Sequence, residues 1–391
     1  MAKQLLITEF GADPALENNA PHIQAAIDAA GPEDEVVIPA GTWKTGIIHL
    51  KSHLNLRFED GVTILGSDNY RHYMDGDKWD WNSALFRGEN LEYFSISGPA
   101  VLDGQNCFCP LGEEGFRGPH MLRLMHCHHM RFRDFTIRDG ANYGLLFTDC
   151  TDCVVDNVTV IAGHDGVHTM RCRDYQILNC TFRTGDDSIA GNDTENFVIR
   201  NCYFNTACNG LRFGGRNVLV EDCRFQGPGE FMHRLEGRKA SLSAFINFCP
   251  SDRNTVIPTE NWTVRNITAD HMLSLYYLDR NREWQDGPTT RDILFEDITC
   301  TNMQESIMVL GRGNCDTNLT FRRCHLHLDP EVPAQSVILM DCFDALTLED
   351  VTLDNQGRTD ALVLKNGSRL SLSGSSVQQP YTAENVTELP N

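Results

Sequence analysis

The sequence predicts an all-β protein, a right-handed single-stranded parallel β-helix with coils of about 22 residues and an N-terminal capping helix. Three observations predict it. First, a self-similar segment recurs as Val154-Val155-Asp156-Asn157-Val158-Thr159-Val160, then from Gln176 to Phe182, Val198 to Phe204 and Leu219 to Phe225, with Asn157, Asn179, Asn201 and Asp222 in register at steps of 22, 22 and 21 residues. Second, each unit consists of short runs rich in Val, Ile, Phe and Thr divided by Gly, Asn or Asp, which read as strands and turns. Third, no ten-residue helical pattern lies between the runs, so alternating strand–helix units are excluded. Equivalent residues of successive coils then stack about 4.8 Å apart.

Taken in order, the first element is the apolar start of the chain, followed by Asn18 to Gly31. That stretch has an Asn cap, an early Pro21 and a terminal Gly31, and it places Ile23, Ala26, Ile27 and Ala30 on one helical face. A solenoid end exposes strand edges and apolar interior, so this helix is expected to cover the first coil. The coils follow over 32–369. Their register extends back to Asp134 and forward to Asn266, Asp297, Arg323 and Asp350, and the 44-residue gap from Asp222 to Asn266 leaves room for one more coil around Ser243-Ala244-Phe245-Ile246-Asn247. The polar segment 370–391 closes or trails from the far end, and 1–391 reads as a single domain. Cys180, Cys202 and Cys223 fall on an inward-facing column, and the 15 cysteines read as reduced, buried thiols.

Composition narrows the partners. With 33 Lys plus Arg against 54 Asp plus Glu, the formal charge is -21, which argues against nucleic acid and anionic lipid. Apolar runs are strand-length and far short of the roughly 20 residues of a membrane span. The N-terminus reaches Glu9 before a signal-like apolar region develops, so the chain as given is expected to be cytoplasmic, or secreted if a signal was removed.

Stacking makes offsets within a coil meaningful. Counted from the Asn/Asp register, offset eight is Asp165, Asp187, Asn209 and Glu230, and offset seven is His164, Asp186, Cys208 and Gly229. Asp165, Asp186 and Asp187 are thus expected on one patch of two adjacent coils, where like charges normally raise at least one carboxyl pKa. A general acid with a carboxylate base pair for glycoside hydrolysis fits that grouping. Ordinary polar turns are the bland alternative. A Ca²⁺ site with His168 lacks a complete loop of oxygen ligands, so no metal and no cofactor are expected.

At these residues the chain resembles the polygalacturonase-type glycoside hydrolases, family 28. The likeness runs from Phe10-Gly11-Ala12-Asp13 and Val36 to Trp43 through Leu50-Lys51-Ser52 and Ile96-Ser97-Gly98 to the coils near Glu230. It is most specific at Thr184-Gly185-Asp186-Asp187-Ser188-Ile189-Ala190, similar to the family's Thr-Gly-Asp-Asp-Cys-Ile-Ala. Gly163-His164-Asp165-Gly166 is similar to its Asn-Thr-Asp-Gly with the Asp kept. The resemblance implies a right-handed parallel β-helix, Asp186 as general acid, Asp165 and Asp187 as the base pair that activates water, and inversion at the anomeric carbon. Departures fall inside the site. The family's Gly-His-Gly is Cys208-Asn209-Gly210 here, and its uronate-holding Arg-Ile-Lys is His233-Arg234-Leu235. Losing a charge-assisted contact to a carboxylate costs about 1.5–3 kcal/mol, so a uronic acid is disfavoured unless Arg212 or Arg234 replaces the lost cation. His164, His168, Asn209, Arg212, Glu230, His233 and Arg234 are the expected substrate contacts.

The function expected is therefore a divergent inverting hydrolase, exo-acting on pectin-related or neutral α-linked oligosaccharides, with a polysaccharide or oligosaccharide as partner and a homo-oligomer open. A lyase or epimerase on a similar β-helix would need cation support beside a uronate, and a non-catalytic binding solenoid gives no reason for three adjacent carboxylates. His126-Cys127-His128-His129 reads as a strand–turn–strand junction with side chains on opposite faces rather than a metal site. Trp79 and Trp81 suit sugar stacking, a subunit contact or loop packing equally.

Overall fold

The computed structural model describes residues 3–332, 336–357, 360–377 and 381–389. The chain forms two compact units, Met1–Asp186 and Asp187–Asn391, each a stack of right-handed parallel β-helix coils.

In the first unit three columns of parallel strands run through the stack. One joins Gln4–Leu6, Glu35–Ile38, Asn55–Phe58, Glu92–Ser97, His128–Arg133, Thr151–Asp156 and Arg173–Leu178. A second joins Gly41–Thr45, Val62–Gly66, Val101–Asp103, Thr136–Arg138, Thr159–Ile161 and Thr181–Thr184. The third joins Ile48–His49, Ala84–Glu89, His120–Met125, Leu145–Thr148 and Val167–Met170, and it positions the site. In this third column nearly every position is buried from His120 to Met170, and Leu122, Leu145 and Val167 stack as a fully buried row.

The helix Ala20–Ala29 forms, with Pro21 in its first turn and Ile23, Ala26 and Ile27 buried, but Asn19 at its N-cap makes no side-chain capping bond; Asn18 Oδ1 instead accepts from the Ala20 N–H at 3.0 Å. Its Gln24 exchanges hydrogen bonds with the backbone of His49, which ties the helix to the third column.

The recurring Asn and Asp have a backbone cause. Asn157 and Asn179 in the first unit, and Asn201, Asp222 and Asn266 in the second, have φ between 52° and 57°, the left-handed region that Asn and Asp enter most readily after Gly. Their side chains then bond between coils: Asn157 Nδ2 donates to Asp134 Oδ1 (2.8 Å) and Asn266 Nδ2 to Asp222 Oδ1 (2.5 Å).

That last bond corrects the coil count. Thr259–Asp270 pairs directly on Leu211–Gln226, with Val218 opposite Trp262 and Cys223 opposite Ile267. Ser243–Asn247 pairs on Leu211–Phe213. The 44 residues therefore hold one coil with long insertions, not two coils, because the extra chain leaves the solenoid as loops on either side of Ser243–Asn247. Thr382–Glu388 of the closing segment pairs in parallel with Leu362–Ser373, adding a rung; residues 378–380 and 390–391 lie outside the described residues.

The inward cysteines are buried as expected, with Cys180, Cys202 and Cys223 between 1% and 3% exposed. The expectation that all thiols are reduced fails at Cys315 and Cys342, which form a disulfide between the loop before Asn318–Arg322 and the strand Ile338–Glu349 of the second unit. Their Cα atoms are 4.5 Å apart, a spacing that stacked coils supply.

Candidate active site

In the first unit the turn before Val167–Met170 carries Asp165. Its Oδ2 pairs with His168 Nδ1 at 2.7 Å, and both residues are 2% exposed. Tyr143, one coil earlier in the register that sets Leu145 beside Val167, stacks on the His168 ring at 5.0 Å with planes 10° apart. Tyr143 meets Trp81 edge-on and His120 at a tilt, and His120 Nε2 bonds the Trp81 carbonyl at 3.0 Å. Burial, and then the nearby Arg123, hold His120 well below its ordinary pKa, so it stays neutral. A wall of aromatic rings thus fixes the imidazole that fixes Asp165.

Asp186 is half-buried at the end of the same unit, where Thr184 Oγ1 donates to its carbonyl (2.7 Å) and shapes the Thr-Gly-Asp turn. One oxygen of Asp186 and one of Asp165 lie within 4.8 Å of each other. Arg117 faces them from the 104–119 insertion. It is 5% exposed, donates to Glu114 (2.5 Å) and Asn142 (3.4 Å) and lies over Tyr143. Burial works against its charge, but Tyr143, Glu114 and Asp186 more than compensate and raise the guanidinium above its usual value. His164, 2% exposed, packs near the Phe116 ring at 6.0 Å.

In the second unit Asp187 is 1% exposed and accepts hydrogen bonds at both of its oxygens. The Asn209 backbone N–H (3.2 Å) and Nδ2 (2.7 Å) reach Oδ1, and Arg212 Nε reaches Oδ2. These donors fix the orientation of the carboxylate. The Arg212 guanidinium also lies 4.3 Å from the centre of the Phe248 ring. Beyond Asn209, Cys208 Sγ accepts from Asn209 Nδ2 (3.4 Å) and from Arg238 Nη2 (3.2 Å). His233 is 5% exposed, and its Nδ1 accepts from the Glu236 N–H.

The expected residues are thereby placed. Asp165, Asp186, His164 and His168 gather in the first unit, and Asp187, Asn209 and Arg212 in the second, with His233 in the loop beyond Cys208. Arg234 is half-buried in that loop. Glu230 is exposed, its N–H held by Asn205 Oδ1 at 2.7 Å. Tyr143, Asn142, Arg117, Phe248 and Arg238 are not among the residues expected from the sequence. Asn142 and Tyr143 are within reach of the spacing, at offsets eight and nine from Asp134, whereas the loops carrying Arg117 and Arg238 have no register to count from.

Two conspicuous groups lie elsewhere. Cys127 is buried, His128 Nδ1 bonds Thr151 and His129 Nδ1 bonds Asp152, so the run splits between faces as expected. Trp79 packs edge-on to Tyr70 and Trp81 on His120, so both serve loop packing.

Residues 30–215 match the sequence model of glycosyl hydrolases family 28. The exo-poly-alpha-D-galacturonosidase of Dickeya chrysanthemi is 42% identical over 77 residues, 19% of this chain, and the match spans 13% of that relative's length. Among solved structures, the hyperthermoactive exopolygalacturonase of Thermotoga maritima superposes with a TM-score of 0.68 at 16% identity, covering 91% of this chain and 92% of that one. The family 28 exopolygalacturonase of Yersinia enterocolitica gives 0.63 at 16%, covering 99% and 78%. At such identity the superpositions establish the shared fold, while the carboxylates Asp165, Asp186 and Asp187 all fall inside the matched residues 30–215. Over residues 30–215 the chain is thus similar to glycoside hydrolase family 28, and it shares the parallel β-helix fold of that family's solved members.

Proposed function

We propose that the enzyme is an inverting, exo-acting hydrolase that removes a neutral α-linked sugar from a pectin-derived oligosaccharide. Asp186 is the general acid, and Asp165 and Asp187 are the base pair for water. The observation that carries the assignment of roles is the asymmetry of the carboxylates. Asp187 is buried against an amide and a guanidinium, and Asp165 is buried against His168, while Asp186 is the half-exposed one. A proton donor to a leaving oxygen needs that access.

The neutral-sugar reading rests on the cations. Arg212, the nearest replacement for the family's uronate clamp, is engaged by Asp187, and Leu235 stands 45% exposed at the position of the family Lys. Exo-action is supported by the insertion 104–119 in one unit and the loops flanking Ser243–Asn247 in the other. Inversion comes from the family resemblance. The nearest-oxygen separation of Asp165 and Asp186, at most 4.8 Å, is shorter than the roughly 6.5–9.5 Å between carboxyl groups of inverting pairs and closer to the roughly 5–5.5 Å of retaining ones.

Proton NMR of the enzyme with α-linked rhamnose- or galactose-terminated pectin fragments, and separately with tri-galacturonide, tests all three points. The expected result is release of the terminal neutral sugar with the β-anomer ahead of mutarotation, and no turnover of tri-galacturonide. First-formed α-anomer would overturn inversion, and rapid tri-galacturonide cleavage would overturn the neutral-sugar assignment.

A further inference from the structure

The loop that follows Ser243–Asn247 in the second unit is tied down along its length. The Cys249 N–H donates to the Trp284 carbonyl (3.2 Å) and the Ser251 N–H to Asp286 Oδ1 (3.3 Å). Further on, the Val256 and Ile257 N–H groups both donate to Asp193 Oδ1 at 2.8 Å, and Asn192 Nδ2 donates to Thr255 Oγ1 at 3.4 Å. Asp193 is 4% exposed, so a buried carboxylate serves the backbone of this one loop. What the loop presents is Arg253, whose side chain is exposed. Its guanidinium lies 5.4 Å from the centre of the Phe248 ring, the same ring that Arg212 overlies at 4.3 Å. Phe248 is 1% exposed and has the half-buried Trp284 beside it at 6.3 Å. The two guanidiniums differ in their partners. Arg212 pairs with Asp187, whereas Arg253 pairs with no carboxylate among the described residues. A guanidinium laid against a ring on a pinned loop loses little freedom when it meets a ligand, and its planar fork matches a carboxylate.

We infer that Arg253 is a specificity-determining residue, which binds the carboxylate of an acidic sugar next to the neutral terminal one. Labour is thereby divided over the Phe248 ring: Arg212 holds the carboxylate of the protein and Arg253 that of the substrate. The inference rests on the proposed action on a pectin-derived oligosaccharide, and its binding half can be measured without turnover.

Tri-galacturonide is titrated by calorimetry into the wild-type chain, Arg253→Gln and Arg253→Lys, with a neutral galactose trisaccharide as the uncharged control. Wild type should bind the charged trisaccharide about tenfold more tightly than the neutral one, Arg253→Gln should lose that preference, and Arg253→Lys should keep part of it. No preference in the wild type, or equal affinity of wild type and Arg253→Gln for tri-galacturonide, overturns the inference. On the substrate established by NMR, Arg253→Gln should raise KM about tenfold on the acidic fragment with kcat within about twofold. On the same fragment with its carboxyl groups reduced to alcohols, neither constant should change. A fall in kcat on both fragments would make Arg253 a structural residue and also overturns the inference. Cleavage of tri-galacturonide that still depends on Arg253 would support it while overturning the neutral terminal sugar.

Discussion

At the scale of single residues, three carboxylates share one neighbourhood of the sequence and have different surroundings. Replacing Asp186 by Asn keeps its shape and removes the proton it donates, so kcat should fall about 10²–10⁴-fold with ligand affinity retained in calorimetry. Unchanged turnover would remove Asp186 from the acid role. Asn209→Ala tests the other side. It takes away the amide at 2.7 Å from Asp187 Oδ1 and leaves a carboxylate that is 1% exposed with one donor fewer. A lost hydrogen bond to a buried charge costs about 1.5–3 kcal/mol, so kcat/KM should drop roughly 10–100-fold. The Asp triplet is legible in the sequence because its members recur at fixed offsets from the Asn/Asp register. Arg117 and Arg238 are not, since each sits on an insertion whose position is set by folding rather than by the repeat.

Among the elements, the coil is the unit that the sequence displays, and its turns explain why. Asn157 and its equivalents recur because the backbone there has positive φ, and their amides bridge to the next coil. The same regularity misleads where a coil is stretched, because spacing alone does not separate an extra coil from a long loop; the pairing of Cys223 with Ile267 does. Coils of the second unit are also joined by charge. Glu221, 6% exposed, lies between Arg200 at 2.5 Å and Arg265, which donates from Nε at 2.7 Å. Burial alone would raise the Glu221 carboxyl, but hydrogen bonds from Arg265 and Arg200 outweigh it and hold the group below its ordinary value. A carboxyl lowered in the fold stabilises fully above its unfolded value of about 4.3, and that stability is lost as pH falls through the lower folded value. Glu221→Gln should therefore unfold at lower denaturant than wild type at pH 7, by about 1 kcal/mol given that both arginines are half-exposed. The gap should close as pH falls below about 4; a gap that persists there would assign the loss to packing rather than charge.

For the molecule as a whole, the dominant property is its charge of -21. Such a field repels a polyanion at long range and leaves a neutral ligand unaffected, and salt screens it over a Debye length of about 10 Å at 0.1 M. The local cations near the carboxylates do not reverse this, because Arg212 is paired with Asp187 and Arg117 with Glu114. On a wholly neutral oligosaccharide that ends in the proposed sugar, kcat/KM should stay constant within about twofold between roughly 20 and 200 mM salt. An oligogalacturonide would behave differently: its carboxylates approach against the field, so kcat/KM should climb with salt as the repulsion is screened. Initial rates at subsaturating substrate, measured across that salt range for both kinds of oligosaccharide, separate the cases without any mutation. A steep rise with the true substrate would mean that the enzyme works on a polyanion in spite of its own charge. In that event Arg234, rather than Arg212, is the first residue to replace, because Arg212 is the one already holding Asp187.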